Sequence, residues 1–343
     1  MRDARRIKNY NAANFMKAKT VIVGSGWSGR TIASILLQRQ GYELVGFVDD
    51  GSQDGQVTVP CKDGDHRYPR LGDMRALMKI IDDYKVDVVV LADENKRPDH
   101  LLQQIVKCYE KGIHVYEMPD LYAKMTCKIP VLHVNNHWMM PRLSEPPHDF
   151  YTLFHDVTNY VASIVGLLCV APLFPFIALA IKIDSSGPAF YTQLRIGKNG
   201  HIFRLLKFRT MVTDADQNGD SWTRKDDVRI TRFGRWLRKY RLDELPQLIN
   251  ILKGDMALVG PRPDAANLAE RFRKEIPFYD YRHLVRPGIT GWAQVNHGNT
   301  CTIRDALEKL QYDLYWIKNR SFSLDLRIIF RSIKVILTGY GAV

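Results

Sequence analysis

The stretch Thr20-Val-Ile-Val-Gly-Ser-Gly-Trp-Ser-Gly29 begins as an apolar strand and runs into Gly24, Gly26 and Gly29. A helical pattern follows through Ile32, Ile35 and Leu36. A glycine-rich strand-to-helix turn either presents backbone N–H groups to a phosphate or lets strand and helix pack closely. A second strand, Leu44-Val-Gly-Phe-Val48, ends at Asp49 and Asp50. Twenty residues separate Gly29 from Asp49, which is the spacing of a dinucleotide-type fingerprint. Gly24, Gly26, Gly29 and Asp49 are therefore the candidate cofactor-binding residues of this part of the chain.

The alternation continues downstream. Leu77 to Tyr84 reads as helix, Val86-Asp-Val-Val-Val-Leu91 as a buried strand, His100 to Lys111 as helix and His114-Val-Tyr-Glu117 as strand. Strands alternating with helices predict an α/β domain over 20–140, a doubly wound parallel sheet of Rossmann-like type. No Tyr-x-x-x-Lys pair is present to support redox chemistry. A nucleotide-dependent oxidoreductase and a membrane-bound nucleotide-sensing scaffold are the rival functions this domain would allow.

The chain has 343 residues, enough for two domains, and a net charge of +12 that attracts polyanions. Its five cysteines, Cys61, Cys108, Cys127, Cys169 and Cys301, show no ligand spacing, so a reducing setting without a disulfide framework is expected. His133 and His137 stand four apart but lack a nearby third ligand. Residues 1–19 are basic and polar, with no apolar run to engage a translocon. They read as an N-terminal arm.

Residues 141–155 read as a linker. Beyond them, Val157 to Ile181 is a 25-residue stretch with no charged side chain. A straight helix of that length reaches roughly 37 Å, enough to cross a bilayer core. Pro172 and Pro175 argue against a straight helix. A single crossing would also separate two segments that both expect cytosolic ligands. A re-entrant hairpin helix over 156–181 keeps both on one side. Ser323 to Leu337 is amphipathic, with Arg327, Arg331 and Lys334 opposite Leu326, Ile329, Phe330, Ile333 and Ile336. That pattern suits a helix lying in the membrane plane, or core packing.

The chemistry points to 182–343. From Arg195 to Arg241 there are thirteen Lys or Arg against five Asp, a surplus too large to be only a solvated face. Asp243 and Glu244 close this segment in Arg241-Leu-Asp-Glu-Leu-Pro-Gln-Leu-Ile-Asn250, and Arg262 follows between two prolines. Carboxylates crowded by guanidinium groups fit a site for phosphates and a divalent metal. Lys207 and Arg209 alternate with apolar neighbours as strand geometry requires. Arg232, Arg235, Arg238 and Lys239 recur at helical spacing opposite Ile230, Phe233 and Leu237. Nucleic-acid binding, the other reading of so basic a chain, lacks a helix-turn-helix or a sheet of interleaved aromatics.

The run Arg241–Pro263 closely resembles the core motif of the bacterial sugar transferases, the monotopic phosphoglycosyl transferases. So do Lys182–Lys198, Phe203-Arg-Leu-Leu-Lys-Phe-Arg-Thr-Met211 and His283-Leu-Val-Arg-Pro-Gly-Ile-Thr-Gly-Trp-Ala-Gln-Val-Asn296. The likeness covers about 156–338. The glycine-turn domain and the join Met118–Val131 are similar, more loosely, to the module ahead of the catalytic domain in two-domain members. Those members carry transmembrane helices further upstream that this sequence does not show. It also departs from the family pattern at Ala171, where a serine usually precedes the proline, and in lacking the Lys-Arg pair before Asp156.

The resemblance implies a mostly α, membrane-associated catalytic domain on the cytoplasmic face of the bacterial inner membrane. It implies transfer of a hexose 1-phosphate, of glucose or galactose by default with an N-acetylated sugar as the alternative, from a UDP-sugar to undecaprenyl phosphate, with release of UMP. This step initiates exopolysaccharide, capsule or O-antigen synthesis. Asp243 would be the nucleophile and a ligand of Mg²⁺ (or Mn²⁺ in its place), and Glu244 would assist. Arg262, Arg238, Lys207, Arg209 and Arg286 would hold phosphates. Trp292 either packs or stacks on a ligand ring. A homodimer is compatible with the pattern, and no nucleic-acid partner is expected.

Overall fold

The computed structural model describes residues 17–50, 55–92, 98–144, 149–213, 227–298 and 302–338. Most of the expected N-terminal arm, and Cys301, lie outside them. The chain divides into two compact units between Asn135 and Asn136.

In the first unit β1 (Ala18–Val23), β2 (Tyr42–Val48), β3 (Gln56–Cys61), β4 (Gly64–Gly72), β5 (Val88–Leu91) and β6 (His114–Glu117) form one sheet in the order β3-β4-β2-β1-β5-β6. All its pairings are parallel except the β3–β4 hairpin. Side chains alternate across a strand, so β1 feeds two cores. Val21 and Val23 join Leu77, Ile81, Leu101 and Ile105 on one side. Ile22 joins Ile32, Leu36, Phe47 and Leu121 on the other. Helices thus cover both faces, as the alternating pattern predicts. The hairpin is the part that periodicity did not mark. Strand β4, Gly-Asp-His-Arg-Tyr-Pro-Arg-Leu-Gly, has no fully buried residue, and an exposed edge gives no apolar alternation to read.

The second unit is mostly helical. Within 141–155 the described residues are helical: Asn136–Ser144 is one helix and Asp149–Val170 another, with 145–148 outside the described residues. Pro141 sits inside the first helix. The Asp149–Val170 helix passes through one 3-10 turn, Ala171–Leu173, into the Phe174–Asp184 helix. Together Phe150–Asp184 is long and apolar enough to cross a membrane, with mean hydropathy 2.6. Its outer face is bare, with Leu168 73% and Phe176 71% exposed.

Both limbs are tied to this unit. Leu258 N donates to Asn159 Oδ1 at 2.8 Å, and Gly166 lies against Leu248. Across the 3-10 turn, Ile181 packs with Phe208 and Leu237, with Phe174 and Ile177 beside them. Phe233 N donates to Asp184 Oδ2 at 2.9 Å. The Phe322–Thr338 helix docks through buried Asp325 and Ile328 and leaves Phe322, Leu326, Phe330 and Ile333 exposed. The expected apolar stripe is therefore an outer face in its described side chains. The Ile336 and Leu337 side chains lie outside the description.

Candidate active site

Three elements bring the carboxylates and cations together. Strand β8 (Ile202–Phe208) pairs antiparallel with β7 (Phe190–Ile196) and carries Lys207. The Arg232–Lys239 helix is capped by Thr231 Oγ1, which accepts from Gly234 N. It lies so close to the end of β8 that a Cβ on Gly234 would stand 2.2 Å from the Thr210 carbonyl oxygen. That approach lets Arg238 Nε donate to Thr210 Oγ1 at 2.8 Å. The chain then turns at Arg241 in a left-handed conformation, φ 57°, into a single 3-10 turn, Leu242–Glu244. The Gln247–Leu252 helix that follows is stitched to β8 by Asn250. Its Nδ2 donates to Arg204 O at 2.8 Å, and its Oδ1 accepts from Leu206 N at 3.0 Å. These bonds fix Lys207 beside the carboxylate pair.

Asp243 and Glu244 are both buried, 7% and 6% exposed, but their surroundings differ. Glu244 Oε1 accepts from Arg262 Nη2 at 2.5 Å and from Lys207 Nζ at 3.3 Å, with Arg241 Nη1 at 3.7 Å. Arg262 Nη1 reaches Oε2 at 3.3 Å. Burial alone would raise the Glu244 pKa, yet Arg262, Lys207 and Arg241 hold it well below the usual carboxylate range. Arg262 is correspondingly raised, chiefly by Glu244. Asp243 accepts no hydrogen bond and has no ion pair among the described residues. Burial pushes its pKa up; Lys207, Arg238 and Arg262 pull against that, while the Glu244 charge adds to it. Burial lowers Lys207 and Arg238.

A carboxylate with free lone pairs inside a ring of cations can attack an electrophilic phosphorus or ligate a hard cation. The surrounding charges would repel a lone divalent ion, so the residues fit Mg²⁺ only as one carboxylate ligand shared with phosphate oxygens. Asp243, which has no partner of its own among the described residues, is the group that could hold it.

Two of the expected phosphate ligands have partners away from the carboxylate pair. Arg209 Nη2 donates to Ser185 O at 2.7 Å and Ser185 Oγ at 3.0 Å. Strand β8 ends at Phe208, so the alternation that pairs Lys207 with Arg209 stops one residue too soon. Arg286 Nη1 pairs with Asp156 Oδ1 at 2.8 Å, at the base of the long apolar helix. Trp292 is buried and packs with Tyr315 at a ring separation of 6.2 Å.

The sequence also hid a second charged group behind Arg262. Arg195 Nη1 donates to Pro263 O at 2.8 Å, and Arg282 Nη2 donates to Arg262 O at 2.8 Å. Asp264, Tyr279, Lys309 and Asp313 surround Arg282. The adjacent Arg262-Pro263-Asp264, the Tyr279/Arg282 spacing and the Lys309/Asp313 spacing on one helix are its linear traces.

In the first unit, a Cβ on Gly29 would lie 2.0 Å from Gly24 O, and Gly24 has φ 101°. Gly29 therefore serves close strand–helix packing, whereas a Cβ on Gly26 would meet nothing within 4 Å. Asp49 Oδ2 accepts from Ser25 N at 2.8 Å and from the Ser25 hydroxyl, with Arg70 Nη2 at 3.9 Å. Asp49 thus closes onto the glycine turn itself. His133 Nδ1 bonds Ser28 Oγ at 2.8 Å.

Residues 150–339 match the bacterial sugar transferase family profile, which covers more than half of the chain. The chain belongs to the bacterial sugar transferase family. Residues 19–98 match the PglD N-terminal domain. A relative from Aeromonas hydrophila, named UDP-N-acetylgalactosamine-undecaprenyl-phosphate N-acetylgalactosaminephosphotransferase, is 40% identical over 69% of this chain and 56% of its own length. An undecaprenyl-phosphate glucose phosphotransferase from Komagataeibacter xylinus is 33% identical over 92% of this chain and 58% of its own. A UDP-glucose:undecaprenyl-phosphate glucose-1-phosphate transferase from Xanthomonas campestris pv. campestris is 35% identical over 76% and 55%. This sugar transferase spans a little over half the length of those curated relatives.

Proposed function

We propose that this sugar transferase moves a hexose 1-phosphate from a UDP-sugar to undecaprenyl phosphate through an aspartyl intermediate and releases UMP. The observation that carries the reading is the buried Asp243 carboxylate, unbonded beside a Glu244 that three cations hold. Asp243 Oδ attacks the β-phosphorus of the donor. A P–O bond to the carboxylate forms, the phosphoanhydride bond to the α-phosphate breaks, and UMP leaves with the bridging oxygen. A phosphate oxygen of the lipid then attacks the same phosphorus, and the acyl phosphate bond breaks to restore Asp243. No net proton transfer is needed in either step.

Arg262, Lys207 and Arg238 stabilise the charge that spreads over the phosphoryl oxygens, while Glu244 keeps their positions fixed. Mg²⁺ (or Mn²⁺ in its place), held by Asp243 with donor oxygens, would supply further charge neutralisation. The bare apolar face of Phe150–Asp184 and its 3-10 break at Ala171–Leu173 support a re-entrant hairpin in the cytoplasmic leaflet. A lipid acceptor then reaches the site from the bilayer and the donor from water. The product would begin a surface polysaccharide.

The test is UMP formation by the purified chain with undecaprenyl phosphate, Mg²⁺ and a panel of UDP-glucose, UDP-galactose and their N-acetylated forms. Without lipid, one equivalent of UMP should appear for each active site, and Asp243→Asn should abolish that burst. An undiminished burst in the variant would remove Asp243 as nucleophile.

A further inference from the structure

Arg262 reaches Glu244 from a short turn between two prolines, and the grip on that turn comes from behind. Arg282 is buried, 3% exposed, and both its terminal nitrogens are in use. Nη2 donates to the Arg262 carbonyl and to Asp313 Oδ2, each at 2.8 Å. Nη1 donates to Asp264 Oδ2 and, at 3.0 Å, to Tyr279 Oη. A single guanidinium therefore bridges the residue before Pro263 and the residue after it. Asp264 is held again by Tyr279 Oη at 2.6 Å and Lys309 Nζ at 2.6 Å. Arg195 Nη1 in turn donates to the Pro263 carbonyl.

We infer that Arg282 is a positioning residue that sets the aim of Arg262 on the phosphates of the donor, an inference that rests on the proposed function. Arg282 cannot itself meet a substrate, since its side chain is enclosed and bonded to the chain. Its planar fork is what the task requires: two donors on separate nitrogens, pointing to two residues two apart. A lysine would keep the charge facing Asp264 and Asp313 but offers one point in place of a fork. Tyr279 supplies a contrast, because it supports Asp264 and makes no bond to Arg262.

The experiment compares Arg282→Lys, Arg282→Ala and Tyr279→Phe in the full chain. It measures thermal unfolding, donor and lipid KM from UMP release, and hydrogen exchange of peptides covering 258–266. Positioning predicts that both Arg282 variants raise the donor KM about tenfold or more, leave the lipid KM within about twofold, and speed exchange in the turn. Tyr279→Phe should lower the unfolding temperature without moving the donor KM. If Arg282→Lys matches the parent in KM and exchange, the side chain is a charge filler and the inference fails. If the parent forms no UMP from any UDP-sugar, the functional reading fails, and exchange in the turn still decides whether Arg282 holds it.

Discussion

Asp243 and Glu244 are neighbours on one 3-10 turn, yet Glu244 collects Arg262, Lys207 and Arg241 while Asp243 collects none. The asymmetry divides the labour. One carboxylate organises the cations, and the other is kept buried, bare and ready to use its lone pairs. A group held that way costs the fold stability.

That cost is measurable with Asp243→Asn. The folded pKa of Asp243 is raised by burial, so the folded state binds its proton more tightly than the unfolded chain. Stability therefore falls as pH rises from the ordinary carboxylate range through the raised value, and the deficit persists at pH 7. Each unit of displacement is worth about 1.4 kcal/mol. The variant should unfold at higher temperature than the parent at pH 7, and the gain should vanish below about pH 3.5, where both side chains are neutral. An unchanged or lower unfolding temperature at pH 7 would show that Asp243 is not under this strain.

Glu244→Gln should act in the opposite sense. The folded pKa of Glu244 is depressed, so its contribution is present above the ordinary glutamate range and is lost as pH falls through and below that range. Removing the charge leaves three cations facing one another. The expected loss at pH 7 is about 3 kcal/mol, the lower end for a buried pair because Arg262 and Arg241 are each about a third exposed. Denaturant titration in detergent at pH 7 measures it, and a loss within error of zero would contradict the ion-pair geometry.

His283 provides a second acid-sensitive element. Burial and the neighbouring Arg282 lower its pKa to about 4, against the pull of Asp280. The unfolded chain takes up a proton below about pH 6.5 that the folded chain refuses until about 4, so stability drains across that window. The whole effect is at most about 3.5 kcal/mol. His283→Asn should flatten the stability profile between those limits, and an unaltered slope would place the acid lability elsewhere.

Gly234→Ala tests the close approach of the arginine helix to the end of β8. The new methyl meets the Thr210 carbonyl at 2.2 Å, which the backbone can relieve only by moving apart. Overpacking of this kind costs about 1–3 kcal/mol. It should also lower the UMP burst rate, because Arg238 moves with the helix. An active variant with parental stability would show that the contact is slack.

Much of this was readable in the linear chain, for a physical reason. Periodicity reports which face of a strand or helix is buried, so the alternating first unit, the long apolar segment and the buried Ile230 and Leu237 stripe could all be anticipated. The exposed β3–β4 edge could not, because β4 buries no apolar face.

The sequence by itself determined the layers, the apolar helix and a carboxylate pair among cations, since each is written in residues close together along the chain. Only the tertiary structure decided which cations serve that pair. Arg209 alternates with Lys207 in sequence, but β8 ends at Phe208 and Arg209 bonds Ser185, while Arg286 pairs with Asp156. Arg282 gave no sign of its hold on Arg262. Ion pairing depends on distances of a few ångströms between segments far apart in sequence, and no local pattern encodes those.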